Sequence, residues 1–185
     1  DLQTPLSTIV GTIDALRLAD QTMVREDRQE LLLLASEQAQ RLEKLVKNIL
    51  NLSKIEGGGL SLNWGWVSVP ELLSLVVGRF SKQAAGRIQL HVAEGIPEIK
   101  GDFTLLSQVL ANLLDNALKF SQASSPIRLQ AWLGEAGLHL SVSDSGYGVA
   151  SADADRIFEK FYRGATPVSV PGSGLGLNIC KGIVE

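Results

Sequence analysis

The sequence predicts an α+β protein in which a helical hairpin precedes an α/β sandwich. Over the first 56 residues, apolar side chains recur at alternating steps of three and four, which is typical of helices that pack along a seam. After the three glycines at 57–59, helical patterns alternate with short strand-like stretches. We therefore expect two domains, a hairpin over residues 1–57 and a second domain over residues 58–185.

The hairpin is predicted from two apolar series separated by a polar break at residues 20–27. The series are Leu2, Leu6, Ile9, Ile13, Leu16 and then Leu31, Ala35, Leu42, Leu45, Ile49, Leu52, and the second series is interrupted once, by Gln38. A lone hairpin buries little apolar surface, so we expect two copies to form a four-helix bundle. The alternative is a hairpin that packs on its own C-terminal domain.

Two helices are predicted in the second domain. Ser68 begins a capping box with Glu71, and the apolar helix behind it runs to about Gln83. Asp102 can cap a longer helix that ends at Phe120. Its predicted buried side consists of Leu106, Val109, Leu110, Leu113 and Ala117.

Strands are predicted where apolar and polar residues alternate. Residues 88–94 form one strand, and residues 127–133 and 138–143 form two more. The glycine-flanked connection at 134–137 predicts a β-hairpin with a four-residue loop. Helices grouped with such a hairpin favour a sandwich with helices on one face of the sheet.

Composition excludes several classes of protein. Seventeen basic and 20 acidic residues give a net charge of −3, and no basic run offers a nucleic-acid surface. The single Cys180 excludes an internal disulfide and fits a reducing compartment. No apolar run is long enough to span a membrane, and no signal peptide is visible. We expect a cytoplasmic segment without direct membrane contact, which leaves open a membrane anchor elsewhere in the parent chain.

The helix over 102–120 carries a candidate site for metal and phosphate. Asn112, Asn116 and Lys119 fall on one stripe of this helix, within about 40° of arc. Two carboxamides and an ammonium can bind hydrated Mg²⁺ and neutralise phosphate oxygens. The alternative is a solvated polar helix face.

Two glycine-rich segments are further candidates. In residues 144–148, Asp144 follows a strand directly and can accept a hydrogen bond from an adenine amine; the alternative is a plain turn. Residues 172–177 precede a helix and can present N–H groups to phosphates. Their spacing matches neither a Walker loop nor a dinucleotide fingerprint.

Taken together and in order, these segments resemble the histidine kinases of two-component signalling, which share an ATPase superfamily with gyrase and Hsp90. The matching segments are 112–120 (N box), 144–148 and 172–177 (glycine boxes), 157–163 (F box) and 1–6 (H box without its histidine). The resemblance implies a dimeric hairpin followed by an ATP-binding domain of the Bergerat type. Residues 57–59 and 171–177 are similar to the potassium-responsive sensor kinases in particular.

The resemblance also implies roles for individual residues. Asn116 would bind Mg²⁺, with Asn112 as a second metal or phosphate ligand beside Lys119, and Asp144 would bind the adenine of ATP. Arg163 would meet the γ-phosphate, whose charge a guanidinium stabilises during transfer. The remaining nucleotide contacts would be Phe120, Gly146, Gly148, Gly172, Gly174, Leu175 and Gly176. Three aromatic residues, Phe158, Phe161 and Tyr162, would anchor the lid over the nucleotide; the alternative is core packing.

The implied activity is transfer of the ATP γ-phosphoryl to a histidine, and then to an aspartate in the receiver domain of a response regulator. Asp1 would take a proton from the attacking imidazole, and Thr4 would orient water for dephosphorylation of that partner. The alternative is that both are ordinary residues of a helical first turn.

The chain departs from the family pattern in its histidines. Neither His91 nor His139 lies in the H box, and both fall on predicted strands, where a structural role is favoured. Either a histidine precedes Asp1, or the protein is a degenerate member. The family also continues beyond the second glycine box, so we expect the parent chain to continue past Glu185. The alternative function is a non-catalytic, ATP-binding dimeric scaffold. A gyrase- or Hsp90-like ATPase is disfavoured by the leading hairpin.

Overall fold

The computed structural model describes residues 2–19, 23–59, 61–164 and 172–185. The chain divides into two compact units, residues 1–54 and 55–185. This division lies close to the predicted domain boundary at residue 57.

The first unit is helical. Helix α1 spans Gln3–Leu18 and helix α2 begins at Arg25 and runs to Glu56. Glu26 and Asp27 lie in the first turn of α2, where acidic side chains interact favourably with the helix dipole. None of the helices in the described ranges is both long enough and apolar enough to cross a membrane.

The buried stripe of α2 differs from the predicted seam near its C-terminal end. Leu52 is buried as predicted, but Ile49 is 38% exposed, and the adjacent Asn48 is buried instead. Because the seam was predicted for a bundle of two copies, a seam residue can be exposed in the single chain. The role of Ile49 in the seam therefore stays a prediction.

The predicted seam residues of α1 are exposed or half-buried in the single chain. Leu2, Leu6 and Ile13 are exposed, whereas the buried residues of α1 are Pro5 and Thr12, which were not predicted for the seam. The apolar series predicted for a single seam therefore leaves large side chains in contact with solvent in the isolated chain.

The second unit contains two small sheets. Strands β1 (Gly65–Val67) and β3 (Ile99–Gly101) form an antiparallel pair. Strands β2 (Ile88–Val92), β4 (Ile127–Gly134) and β5 (Gly137–Ser143) form a three-stranded mixed sheet in the order β2-β4-β5. Strand β2 is parallel to β4, and β5 is antiparallel to it.

In the part of this unit that the structure describes, four α-helices accompany these sheets. They are α3 (Val69–Arg79), α4 (Ser81–Ala84), α5 (Phe103–Phe120) and α6 (Gly176–Val184). The core joins apolar residues of α3 and α5 to alternate residues of β4. Burial of these side chains supplies the main favourable free energy of this unit. The fully buried members include Leu72, Leu73, Val76, Leu114, Ile127 and Leu129. The predicted α+β class with a helical region before an α/β sandwich is confirmed.

Of the two predicted helix caps, the one at Asp102 is present and the one at Ser68 is absent. Asp102 caps α5 as predicted, because its Oδ1 accepts hydrogen bonds from the Thr104 and Leu105 amides at 2.8 and 3.1 Å. Ser68 precedes α3 but makes no side-chain capping bond, so the predicted capping box is absent. Helix α3 also ends at Arg79, before the short α4, rather than continuing to Gln83.

Two further predictions needed correction. On α5 Leu114, which was not predicted for the buried side, is fully buried, whereas the predicted Leu106 and Leu113 are only half-buried, because the helix packs against both the sheet and α6. In the β-hairpin, Gly134 pairs with Gly137, which leaves a two-residue loop instead of four. Gly137 adopts φ 122°, a conformation that favours glycine and allows the tighter turn.

Candidate functional site

Helix α5 is the element to which the other predicted site segments attach. Its N-terminus is held from two directions by Asp102, because Oδ2 of the same carboxylate accepts a hydrogen bond from the Asn63 amide at 2.8 Å. The capping carboxylate satisfies N–H groups that would otherwise lack partners in the first helical turn. The first turn of the helix that carries Asn112, Asn116 and Lys119 is therefore held in place by Asp102.

Asn112 lies where α5 meets α6. It is buried, and its Nδ2 donates to the Gly176 carbonyl at 3.5 Å, the long end of the hydrogen-bond range. Burial raises the pKa of the nearby Cys180 thiol to about 11, and a hydrogen bond with Asn112 opposes that rise. Asn112 thus joins the N box to the helix that follows the second glycine segment.

The other two polar residues of the predicted stripe are more accessible. Asn116 is half-buried, and its carboxamide has no hydrogen-bond partner among the described residues. Lys119 pairs with Asp115 at 2.8 Å between Nζ and Oδ2. Asp115 was not among the predicted site residues, although its spacing of four residues from Lys119 is typical of helical ion pairs.

The first glycine segment lies against the C-terminal end of α5. Gly146 donates its N–H to Asp144 Oδ1 at 2.7 Å, and Ser121 and Gly146 form an isolated β-bridge. A Cβ atom at Gly146 would stand 2.5 Å from the Phe120 carbonyl oxygen, so only glycine allows this approach. The structure therefore brings Asp144, Gly146 and Phe120 together. Gly148 follows with φ 71°, and Tyr147 between them is 78% exposed.

The second glycine segment lies against the F box. Gly174 has φ 69°, and its carbonyl accepts a hydrogen bond from the Phe161 amide at 3.1 Å. A Cβ atom at Gly174 would stand 2.6 Å from the Phe161 carbonyl carbon. Leu175 is buried at the start of α6, whereas Gly172 is exposed. Gly176 is the residue bonded to Asn112.

The three predicted lid-anchoring aromatic residues have different environments. Phe158 lies beneath the Lys181 ammonium, which is 6.0 Å from the ring centroid, and its carbonyl accepts from Asn178 Nδ2 at 2.8 Å. The Phe161 ring is 63% exposed, so this residue is held by its backbone rather than its ring. Tyr162 is half-buried and bonds to Asp153, a residue that was not predicted for the site.

The predicted phosphoryl-transfer residues are widely spaced along the chain. Arg163 is exposed, directly after Tyr162. Thr4 lies exposed in the first turn of α1, and its carbonyl accepts a hydrogen bond from Thr8 Oγ1 at 3.0 Å. Asp1 lies outside the described residues, as do residues 165–171 between the F box and the second glycine segment. The roles of all three residues stay predictions.

The two histidines are both on strands, as predicted. His91 is exposed on β2, and His139 on β5 stacks on Trp132 with ring centroids 5.1 Å apart. The position of His139 is typical of a cross-strand pair, which stabilises a β-hairpin.

Comparison with known proteins accounts for both units. The family model described as "His Kinase A (phospho-acceptor) domain" matches residues 1–58. The model described as "Histidine kinase-, DNA gyrase B-, and HSP90-like ATPase" matches residues 101–185. A phospho-acceptor module followed by an ATPase module defines the core of a histidine kinase.

Individual relatives match nearly the whole of this chain. The sensor protein KdpD of Escherichia coli (strain K12) is 33% identical over 192 residues, which are the whole of this chain and 21% of that protein. The solved structure of full-length ShkA in complex with AMPPNP is 30% identical with a TM-score of 0.70, over 97% of this chain and 38% of that one. The Acinetobacter baumannii histidine kinase AdeS has a TM-score of 0.75 at 22% identity, over 99% of this chain and 84% of that one, and supports the fold alone.

The chain belongs to the sensor histidine kinases of two-component signalling. It spans about a fifth of the length of the first curated relatives that it matches.

Proposed function

We propose that this chain is the dimerisation and ATP-binding core of a sensor histidine kinase that phosphorylates a histidine expected immediately before Asp1. The phosphoryl group then passes to an aspartate in the receiver domain of a response regulator. The observation that carries the proposal is the convergence of the two remote glycine segments on α5. Gly146 contacts the Phe120 carbonyl at one end of the helix, and Gly176 bonds to Asn112 two turns earlier.

The polar groups at this convergence are suited to an adenine nucleotide. Asp144 is exposed and receives a hydrogen bond from the Gly146 amide on Oδ1, which leaves carboxylate acceptor capacity for the exocyclic amine of adenine. Lys119 holds its ammonium beside α5 through Asp115 and can neutralise phosphate oxygens. The glycines on either side allow a flat base and its phosphates to approach the backbone.

The residues present also fit Mg²⁺. Asn116 offers a carboxamide that has no partner in the described part of the chain, and its oxygen is the hard ligand type that Mg²⁺ prefers. Asn112 is the second proposed ligand, since its Nδ2 bonds to Gly176 and its oxygen remains an acceptor. Mg²⁺ held by these two carboxamides would neutralise phosphate charge.

The proposed roles in transfer follow from the chemistry of the side chains. A nitrogen of the acceptor imidazole attacks the γ-phosphorus, and the bond to the bridging oxygen of the ADP leaving group breaks. Asp1 accepts the proton from the other ring nitrogen, which keeps the phosphorylated imidazole neutral at that atom. Arg163 stabilises the charge on the transferring oxygens.

Dimerisation through the helical unit is supported by its exposed apolar side chains. Leu2, Leu6 and Ile13 lie on α1 at 43, 52 and 46% exposure, and a second copy packed on this face would bury them. Thr4 lies in the first turn of α1, where it would orient water against the phosphorylated response regulator.

Nucleotide binding by this chain is the first experiment. Asp144→Asn removes a carboxylate acceptor and is expected to weaken ADP binding by about 10- to 100-fold in titration calorimetry. Asn116→Ala should abolish most of the gain in affinity on adding Mg²⁺ while leaving metal-free binding within about twofold. Asp155→Asn, which removes an exposed carboxylate elsewhere in the same unit, is the matched control. Unchanged ADP affinity in Asp144→Asn would contradict the proposed site.

Labelling of the parent protein with γ-phosphate-labelled ATP is the second experiment. Acid-labile label on a histidine before Asp1 is the expected result. ATP binding without such label would contradict the kinase proposal and favour the non-catalytic dimeric scaffold. If the parent protein takes up the label, its Thr4→Ala variant is expected to retain autophosphorylation and to lose dephosphorylation of the response regulator.

A further inference from the structure

Three side chains in and just before the F box form a compact cluster. Tyr162 donates its hydroxyl to Asp153 Oδ1 at 2.6 Å, and the Arg156 guanidinium lies 4.3 Å from the centroid of the Tyr162 ring. Arg156 also reaches Glu159, at 3.7 Å between Nε and Oε2. The hydrogen bond to an ionised carboxylate is of the strong, charge-assisted type. The Asp153–Tyr162 pair is therefore a specific cross-link between the start and the end of the F-box region.

The backbone next to this pair has an unusual conformation. Phe161 adopts φ 61°, a left-handed conformation that aromatic residues disfavour. Its amide bonds to the Gly174 carbonyl, and Gly174 leaves no room for a side chain against Phe161 and Tyr162. Such a conformation persists only where surrounding contacts determine it. Here those contacts are the Gly174 bond on one side and the Asp153–Tyr162 bond on the other.

We infer that Asp153 and Tyr162 are positioning residues that fix the backbone from Phe161 to Arg163 and so direct Arg163 toward the terminal phosphate of ATP. The inference rests on the proposed function, in which Arg163 meets the γ-phosphate. It adds that the direction of the arginine is set by a side-chain bond between residues nine positions apart. A neutral Tyr162 hydroxyl is needed for this bond, since only the protonated phenol donates to the carboxylate.

Nucleotide selectivity should depend on this cross-link. ADP lacks the phosphate that Arg163 would contact, whereas AMPPNP carries it. Loss of the cross-link should therefore weaken AMPPNP binding and leave ADP binding almost unchanged. A merely structural role for the cross-link would weaken both nucleotides alike, because both need the same folded domain.

The experiment is calorimetric titration of the chain with ADP and with AMPPNP, each with Mg²⁺. Asp153→Asn and Tyr162→Phe are both expected to weaken AMPPNP binding about fivefold, the effect of losing one partly exposed charge-assisted hydrogen bond, with ADP affinity within about twofold. Tyr162→Phe keeps the ring on which Arg156 stacks, so the fold should survive, as circular dichroism would verify. The exposed Asp155→Asn is the matched control and should leave both affinities unchanged.

Combination with Arg163→Ala separates this inference from the proposed function. We expect Arg163→Ala to weaken AMPPNP selectively, and Asp153→Asn to add no further loss in that background, since residues in one functional unit are not additive. If Arg163→Ala is selective while Asp153→Asn and Tyr162→Phe are not, the inference is overturned and the proposed role of Arg163 stands. If Arg163→Ala has no selective effect, that proposed role itself fails and the inference fails with it. Equal loss of both nucleotides in the Asp153 and Tyr162 variants also overturns the inference.

Discussion

Replacement of Gly174 by alanine tests the close approach between the second glycine segment and the F box. Gly174 has φ 69°, and a Cβ atom there would lie 2.6 Å from the carbonyl carbon of Phe161 and 2.8 Å from the Tyr162 carbonyl oxygen. Both neighbours are backbone atoms, so no side-chain rotation can relieve the contact. Gly174→Ala must therefore displace one chain segment from the other.

The expected loss of stability in Gly174→Ala has two parts. An L-residue in the left-handed conformation costs about 1–2 kcal/mol relative to glycine. Displacement of the Phe161 carbonyl carbon from 2.6 Å to the 3.4 Å of ordinary contact also stretches the Phe161–Gly174 hydrogen bond, now 3.1 Å long. Loss of that bond costs about 0.5–1.5 kcal/mol. The two parts together come to about 1.5–3.5 kcal/mol, and we expect Gly174→Ala to lower the local free energy of unfolding by about 2–3 kcal/mol, the middle of that range.

Hydrogen exchange at the Phe161 amide measures this cost directly. A loss of 2–3 kcal/mol accelerates exchange by about 30- to 150-fold if opening is at equilibrium. Gly95→Ala is the matched control, because Gly95 has φ 74° and a Cβ atom added there would meet no other atom within 4 Å. It therefore introduces the backbone cost without the close contact. Equal acceleration at Phe161 in the two variants, to within about threefold, would refute the argument from close packing.

Three further predictions concern the same unit. Gly146→Ala places a methyl group 2.5 Å from the Phe120 carbonyl oxygen at the end of α5, and it should weaken ADP binding at least about tenfold in calorimetry. Unchanged ADP affinity would contradict this placement of the first glycine segment. Burial raises the pKa of the Cys180 thiol from an ordinary 9.0 to about 11. The contribution of the buried, protonated thiol to the free energy of unfolding is therefore fully present below pH 9 and is lost as pH rises through about 11. Urea unfolding should show about 2–3 kcal/mol of this loss in the natural protein and none of it in Cys180→Ala, and equal pH slopes in the two would be the contrary result. The hydrogen bond to Asp153 raises the pKa of Tyr162 above 10.0. In a Tyr147→Phe background Tyr162 is the one remaining tyrosine, so tyrosinate absorbance should titrate with a midpoint above that value. Asp153→Asn in the same background should lower the midpoint.

Features of the fold that depend on neighbouring residues in the chain could be predicted well. Asp102 could be recognised as the cap of α5 because a capping carboxylate bonds to amides two and three residues later. Strands β4 and β5 could be located from alternating side chains. The predicted capping bond at Ser68 failed although the residue type was suitable, since a cap also depends on the rotamer that the surroundings allow.

The identity of the buried residues was less predictable. Within the single chain, α2 buries Asn48, whereas Ile49, which periodicity placed in the predicted seam, is exposed. Periodicity gives the width of an apolar stripe, whereas the neighbouring element decides which edge of the stripe is covered. For the same reason α5 buries Leu114 rather than Leu113.

By itself the sequence determined the order of the long helices and of β2, β4 and β5, the residue types of the candidate site and the family to which the chain belongs, although the short elements β1, β3 and α4 were not predicted. These properties depend on spacing within single helices, strands and glycine segments, and local sterics and hydrogen bonding act over such distances. Only the tertiary structure decided that Gly146 contacts Phe120, that Gly174 contacts Phe161 and that Asp153 bonds to Tyr162. Those contacts follow from how the sheet, α5 and α6 pack together, and packing is set by the whole core rather than by any one segment.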